Sequence, residues 1–278
     1  MVLTITAPLW ADISDRNTRR VGTIAGHHVL KNEQIPVLIA GNDGLIVSPK
    51  PWWAYDQYGE VHAQDDFDGT LKWSQLTGTV TKASDPTFVH VGTSAMKMVT
   101  GIVAGNTATA KKWMTPPQQR TGYMVLELWW ALTAAAVATP RDFSMKWSIQ
   151  DAALNSTYTF GMRYLNYNAT VLQWKVQYWT DASAWANVVA PSVAVDLTNP
   201  CFHYWLMIIK RTIGVGYEYT MVMHDERQHA LPTTAPAVSA FGWKEQQVEL
   251  ACTTDVAAAT TAYVGAIIVA DGVNENWV

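Results

Sequence analysis

Apolar and polar residues alternate with a period of two through the middle of the chain. Phe143, Met145, Trp147 and Ile149 alternate with Ser144, Lys146, Ser148 and Gln150. Tyr158, Phe160, Met162 and Tyr164 alternate with Thr157, Thr159, Gly161 and Arg163, and Leu172, Trp174, Val176 and Tyr178 with Val171, Gln173, Lys175 and Gln177. Successive side chains of a strand point to opposite faces, so these runs predict strands with one dry and one wet face, as in antiparallel sheets. Two runs, Tyr123 to Trp130 and Tyr204 to Ile209, are apolar on both faces and are expected in central or doubly covered positions. Tyr217 to Val222 follows the hairpin signal Gly214-Val-Gly216, and Ala262 to Ala270 is the last predicted strand. Ala-rich pieces at 133–138 and 255–261 are too short to be stable helices alone. About ten strands separated by turns, without helices between them, predict an all-β, antiparallel two-sheet sandwich.

Residues 1–64 are patterned differently. Gln34 to Ala40 reads as one short strand, Gly41-Asn-Asp-Gly44 as a turn and Leu45-Ile-Val47 as a second strand, broken by Ser48-Pro-Lys-Pro51. Such a segment cannot bury a core of its own. It is expected to be an N-terminal arm with short strands that docks on something else, followed by a sandwich domain over 65–278.

Composition narrows the function classes. Apolar residues make up 49% of the 278 and charged residues only 15%, with a net charge of −4 and no run of Lys or Arg. The electrostatic term that dominates nucleic-acid binding is therefore missing, and no nucleic-acid partner is expected. No stretch approaches the ~18 apolar residues of a membrane span. The N-terminus lacks the charged start and apolar run of a secretory signal, so synthesis in a cytoplasm is expected, and the glycosylation triplets at Asn155 and Asn168 carry no weight. Cys201 and Cys252 form no CxxC pair; each reads as a small buried hydrophobe, with a disulfide between adjacent strands as the alternative.

Catalytic signatures are scarce. His224-Asp-Glu-Arg-Gln-His229 places its histidines five apart at a strand end, where the zinc-protease motif needs them four apart on one helix face; a solvated hairpin end is expected. There is no GxSxG elbow, and Gly214-Val-Gly216 lacks the strand–turn–helix context of a phosphate loop. Glycoside hydrolysis needs two carboxylates about 5–10 Å apart. Glu127 is the lone acid in an otherwise apolar strand, and no ExDxxE pattern provides its partner.

Four features together carry a family resemblance: the acidic opening Asp65-Asp-Phe-Asp-Gly69 with Trp73, the stretch ending Ser94-Ala-Met-Lys-Met-Val-Thr-Gly101, and the closing Thr261-Ala-Tyr-Val-Gly-Ala-Ile-Ile-Val-Ala-Asp-Gly272. Residues 65–278 resemble a jelly-roll sandwich of the concanavalin A-like or carbohydrate-binding-module type. The preceding arm resembles the N-terminal segment of phage structural proteins. The first resemblance implies a structural calcium between opening and closing strands, with Asp65, Asp66, Asp68 and Asp271 as oxygen ligands. The second implies a virion protein, a capsid decoration or head- or tail-associated subunit, assembled with other virion proteins and itself a homo-oligomer, trimers among the options.

Fourteen tryptophans and eleven tyrosines are the compositional anomaly. Core packing accounts for Trp147, Trp174 and Trp205. Trp179 and Trp185 lie near turns, where an exposed ring needs a cover, either a stacked sugar or a neighbouring subunit. Trp52, Trp53 and Tyr55, in the Pro-flanked arm, are expected to meet a neighbour. The sequence thus points to a non-enzymatic virion structural protein, glycan-adhesive through Trp179 and Trp185. A carbohydrate-binding module and a glycoside hydrolase or lyase are the alternatives.

Overall fold

A computed structural model describes residues 60–84, 89–90, 93–114, 122–132, 141–168, 173–194, 202–225, 227–240, 246–254 and 258–273, with four short strands before them. Those four are β1 (Arg20–Ile24), β2 (His27–Lys31), β3 (Leu38–Gly41) and β4 (Gly44–Val47), paired as two antiparallel hairpins. Trp52, Trp53, Tyr55 and Cys201 lie outside the described residues, as do 133–138.

Two eight-stranded antiparallel sheets follow, and no helix occurs among the described residues. The first sheet takes β5 (Glu60–Asp65), β7 (Thr79–Ala83), β8 (Ala95–Val99), β10 (Gly122–Leu132), β15 (His203–Thr212), β16 (Gly216–His224), β17 (Arg227–His229) and β20 (Thr261–Val273). Its order is β17-β16-β15-β10-β20-β8-β7, with β5 also paired to β20. The second takes β6 (Ser74–Thr77), β9 (Thr107–Met114), β11 (Arg141–Asp151), β12 (Ser156–Asn168), β13 (Gln173–Trp179), β14 (Trp185–Ala194), β18 (Ala237–Ala240) and β19 (Gln246–Thr254). Its order is β14-β13-β12-β11-β19-β9-β6, with β18 on β12.

The predicted alternation is what closes the sandwich. Phe143, Met145, Trp147 and Ile149 of β11 and Phe160, Met162 and Tyr164 of β12 point inward against Met124, Leu126, Leu128 and Trp130 of β10 and Trp205, Met207 and Ile209 of β15. Trp130 packs at 4.8 Å on both Phe143 and Trp205, and Trp147 is buried beside Phe160. Burying one such ring removes about 150–250 Å² from water, worth about 4–6 kcal/mol before entropy is charged against it. The side chain of Trp174 lies outside the described residues.

The two-sided apolar strands, β10 and β15, are adjacent and central in the first sheet. Their outer residues Val125 and Ile208 form a second buried cluster with Ile268 and Ala270 of β20, edged by Tyr123, Trp129, Leu206 and Met221. The first sheet is therefore apolar on both faces. The second is not, and that asymmetry places the polar chemistry of the molecule.

β5 ends at Asp65, so the acidic cluster is the turn after the first strand of the sandwich, and residues from Glu60 onward belong to the first sheet. Phe67 takes a positive φ of 60° in that turn and its ring is buried against Trp73. Cys252 is buried on β19 opposite Phe143.

Candidate functional site

Register aligns one row of outward side chains across seven strands of the second sheet. Ser74 pairs with Lys111, Lys111 with Glu249, Glu249 with Lys146 and Lys146 with Gly161. Gly161 lies beneath Trp179, which pairs with Trp185. Six inter-strand steps of about 4.8 Å make a track of about 29 Å. The flanking rows are also polar, with Thr109, Ser144, Arg163, Gln177 and Asn187 on one side and Gln247, Ser148 and Thr159 on the other. Trp113 stands exposed beside the row on β9.

The structure thus brings Trp179 and Trp185 together as an edge-to-face pair, 4.9 Å between centroids at 74°. Gly161 makes the arrangement available. A Cβ there would meet the Trp185 ring at 3.0 Å, Cβ of Trp179 at 3.2 Å and the Met145 carbonyl at 2.8 Å. Beneath the pair, the Tyr219 hydroxyl crosses the core from the first sheet. It accepts the Gly161 N–H at 2.8 Å and donates to the Trp179 carbonyl at 2.9 Å. The β12–β13 ladder stops at Met162 and Tyr178, so a phenol takes the place of the next ladder bond. Burial raises the Tyr219 pKa far above the ordinary phenol value, keeping the hydroxyl a donor.

The row is laced by charge. Lys111 binds Glu249 at 2.9 Å and Arg163 binds Asp142 at 2.7 Å. The Lys146 ammonium sits 3.5 Å above the Trp179 ring, a close cation–π contact. Burial lowers the Lys146 pKa, with Glu249 opposing the shift. Among the described residues this face carries the Glu249 and Asp142 carboxylates, four residues apart along the strand direction through the Glu249–Lys146 pair and each bound by a different cation, Lys111 and Arg163. Glu127 is on the outer face of the other sheet, buried, and accepts the Tyr204 hydroxyl at 3.0 Å. It joins neither acid.

The four aspartates expected to share a calcium do not meet. Asp65 faces Ile267 on β20, whereas Asp271 lies four residues further along the same strand, opposite Glu60, about 14 Å away. One calcium, with ligands at about 2.3–2.6 Å, cannot span both. Asp65 is instead held by Lys112 at 2.8 Å, the Trp73 indole N–H at 3.0 Å and the Phe67 N–H at 3.0 Å. Asp68 accepts the backbone N–H and hydroxyl of Thr93, and the Asp66 carboxylate caps the Asp68 N–H at 3.4 Å. The acidic turn is a hydrogen-bonded hub tying β5 to its neighbours.

At the end of the β16–β17 hairpin, expected to be solvated, Arg227 and Gln228 are exposed but both histidines are buried, His224 1% exposed and His229 3%. The sequence signal was missed because His203, twenty-one residues earlier, completes the cluster. His203 Nδ1 lies 3.1 Å and His224 Nε2 3.3 Å from one oxygen of Asp225, and the Tyr204 N–H donates to the other at 2.8 Å. Asp225 reaches both rings from a left-handed backbone, φ 53°. These three side chains have metal-ligating atoms within 4.8 Å of one another. However, the Trp205 indole N–H donates to His224 Nδ1 at 2.8 Å. Neutral His224 then carries its proton on Nε2, where a cation would need a lone pair. The cluster is a hydrogen-bonded corner.

No family model matches the chain, and no curated protein matches it. Its likeness is to solved β-sandwich structures at low identity. The conserved carbohydrate esterase of Shiga toxin-encoding bacteriophage phi24B is 15% identical over 72% of this chain and 90% of that one, with a TM-score of 0.48. The cellulose induced protein Cip1 is 16% identical over 76% and 97%, TM-score 0.45. The CBM2 module of the evolved Dit of Lactobacillus casei BL23 phage J-1 is 7% identical over 77% and 96%, TM-score 0.43. The described residues of this chain form an all-β sandwich of two antiparallel sheets.

Proposed function

We propose that the protein is a non-enzymatic glycan-binding sandwich, displayed on a virion through residues 1–59, whose ligand lies along the polar face of the second sheet. The observation that carries this is the register row from Ser74 to Trp185, which ends in two tryptophans seated over Gly161. Aromatic rings beside paired Lys, Glu, Arg and Asp groups suit a sugar, which presents C–H faces to rings and hydroxyls to charged groups. The pairing of Glu249 with Lys111 and of Asp142 with Arg163 supports binding without hydrolysis.

The test is a glycan array followed by calorimetry on the hits. Trp185→Ala and Trp179→Ala should each weaken binding about tenfold or more, from a starting Kd in the micromolar to millimolar range. An array without hits, or hits indifferent to both substitutions, defeats the proposal.

Display on a particle is supported by the aromatic content of the arm, Trp52, Trp53 and Tyr55. Buried aromatic anchors provide most of the energy of such attachments. Deleting residues 1–59 leaves β5 intact and should abolish co-sedimentation with capsids or tails while glycan binding persists. A full chain that stays monomeric and binds no particle refutes the display half alone.

A further inference from the structure

A cleft of about 440 Å³ opens where the β15–β16 hairpin, the β13–β14 turn and the loop before β18 come together. Its floor is aromatic. Tyr158 of β12 and Tyr217 of β16 lie 5.1 Å apart at 52°. Behind Tyr217 the Arg211 guanidinium lies 5.4 Å from the ring centroid, and a buried ion pair to Asp151 at 2.9 Å fixes it there. The floor is thus rigid and electrically balanced from within. Gly216, at φ 120°, leaves the space under the Tyr158 hydroxyl unfilled; a Cβ there would come within 2.4 Å of that oxygen.

The Tyr158 and Tyr217 hydroxyls and the Glu218 carboxylate line the cleft, and Lys210 stands opposite Glu218 across the β15–β16 ladder, outside the lining. Burial, with Asp151 adding to it, raises the Tyr158 pKa, so the phenol remains a donor across the physiological range. Among the described residues that line the cleft, the charged ones are two carboxylates, Asp181 and Glu218. Aliphatic Val215 and Val238 stand exposed at its mouth.

Two rings beneath, hydroxyl donors at the side and carboxylate acceptors at the rim are the set that grips a pyranose. The two rim carboxylates repel a carboxylate on the ligand, with Lys210 held on the far side of Glu218. We propose that this cleft is a second sugar subsite, distinct from the tryptophan row, which takes a pyranose ring bearing no negative charge. It rests on the glycan-binding proposal for the class of ligand. Asp181 sits in the Thr180–Ala184 turn between Trp179 and Trp185, so one hairpin carries elements of both sites.

The experiment titrates the full chain with cellotriose, maltotriose and chitotriose, and with trigalacturonate as the anionic probe, by saturation-transfer NMR and calorimetry. Val238→Trp, at an exposed position, fills the cleft; Glu218→Gln removes one rim charge; Trp185→Ala disables the row. The expected result is a neutral trisaccharide whose affinity falls about tenfold in Val238→Trp, with trigalacturonate weaker in the wild type and recovering in Glu218→Gln. A neutral sugar lost in Trp185→Ala but unaffected by Val238→Trp overturns the subsite and leaves the row standing. Trigalacturonate binding as tightly as the neutral sugars, unchanged in Glu218→Gln, overturns the charge selection. A wild-type chain that binds none of the sugars tested here or on the array overturns both proposals together.

Discussion

Tyr219→Phe removes one oxygen from the fully buried contact between the two sheets. That oxygen satisfies two backbone groups, the Gly161 N–H and the Trp179 C=O, which the β12–β13 ladder does not pair. The Phe ring fits the same space against Phe160 and Tyr178, so no cavity is made. The cost is the desolvation of two orphaned groups at about 1–3 kcal/mol each, or about 2–4 kcal/mol after partial relaxation. With a urea slope of about 2 kcal/mol/M, the midpoint should drop by about 1–2 M, read by tryptophan fluorescence. The same change frees the backbone under Trp179, so the Gly161 amide should lose exchange protection and glycan affinity should fall without any change in the rings themselves. A loss below about 0.5 kcal/mol with Gly161 still protected would mean that the strands pair directly once the phenol is gone, and the bridging role would be refuted.

Other perturbations test separate parts of the molecule. Arg211→Met should cost about 3–5 kcal/mol, because Asp151 keeps its charge in a buried site, and adding Asp151→Leu should recover part of that loss; a double variant no more stable than the single one contradicts the ion-pair account. Burial lowers the His224 pKa from 6.5 to about 3. The unfolded chain therefore binds this proton at higher pH than the folded one, and stability should fall as pH drops from about 6.5 toward about 3. His224→Gln, which can still accept the Trp205 N–H, should flatten that slope in acid titrations of unfolding, and an unchanged slope would place the acid sensitivity elsewhere. Burial also lowers the Lys146 pKa. Its amine should titrate below the other lysines by NMR of dimethylated protein, and Trp179→Ala should raise it by opening the site to water. A Lys146 signal titrating with the bulk would contradict the stacked geometry.

The strand pattern was legible because it is local. Alternation in Phe143–Gln150 and Thr157–Tyr164 follows from the geometry of a single extended strand, and every inward residue it named there that the structure describes is in the core. Two-sided apolarity placed β10 and β15 in the middle of a sheet on the same local grounds. The closing strand was underestimated at its ends, running from Thr261 to Val273 rather than from Ala262 to Ala270, because its polar end residues are paired by neighbours that no local pattern reveals. Trp179 and Trp185 were singled out by composition and turn position, which says nothing of how they are seated.

Tertiary structure decided what strand pairing alone can create. Ser74, Lys111, Glu249, Lys146, Gly161 and Trp185 are scattered over more than a hundred residues, and only register lays them in one row. Register likewise parted Asp271 from Asp65, although both belong to acidic strand ends that look alike in sequence. His203 joined His224 and Asp225 across the β15–β16 ladder, and Tyr219 reached Gly161 across the core. Side-chain direction within a strand is written into each residue and its neighbours; which strand lies beside it is a long-range choice, settled by burial of the whole core at once.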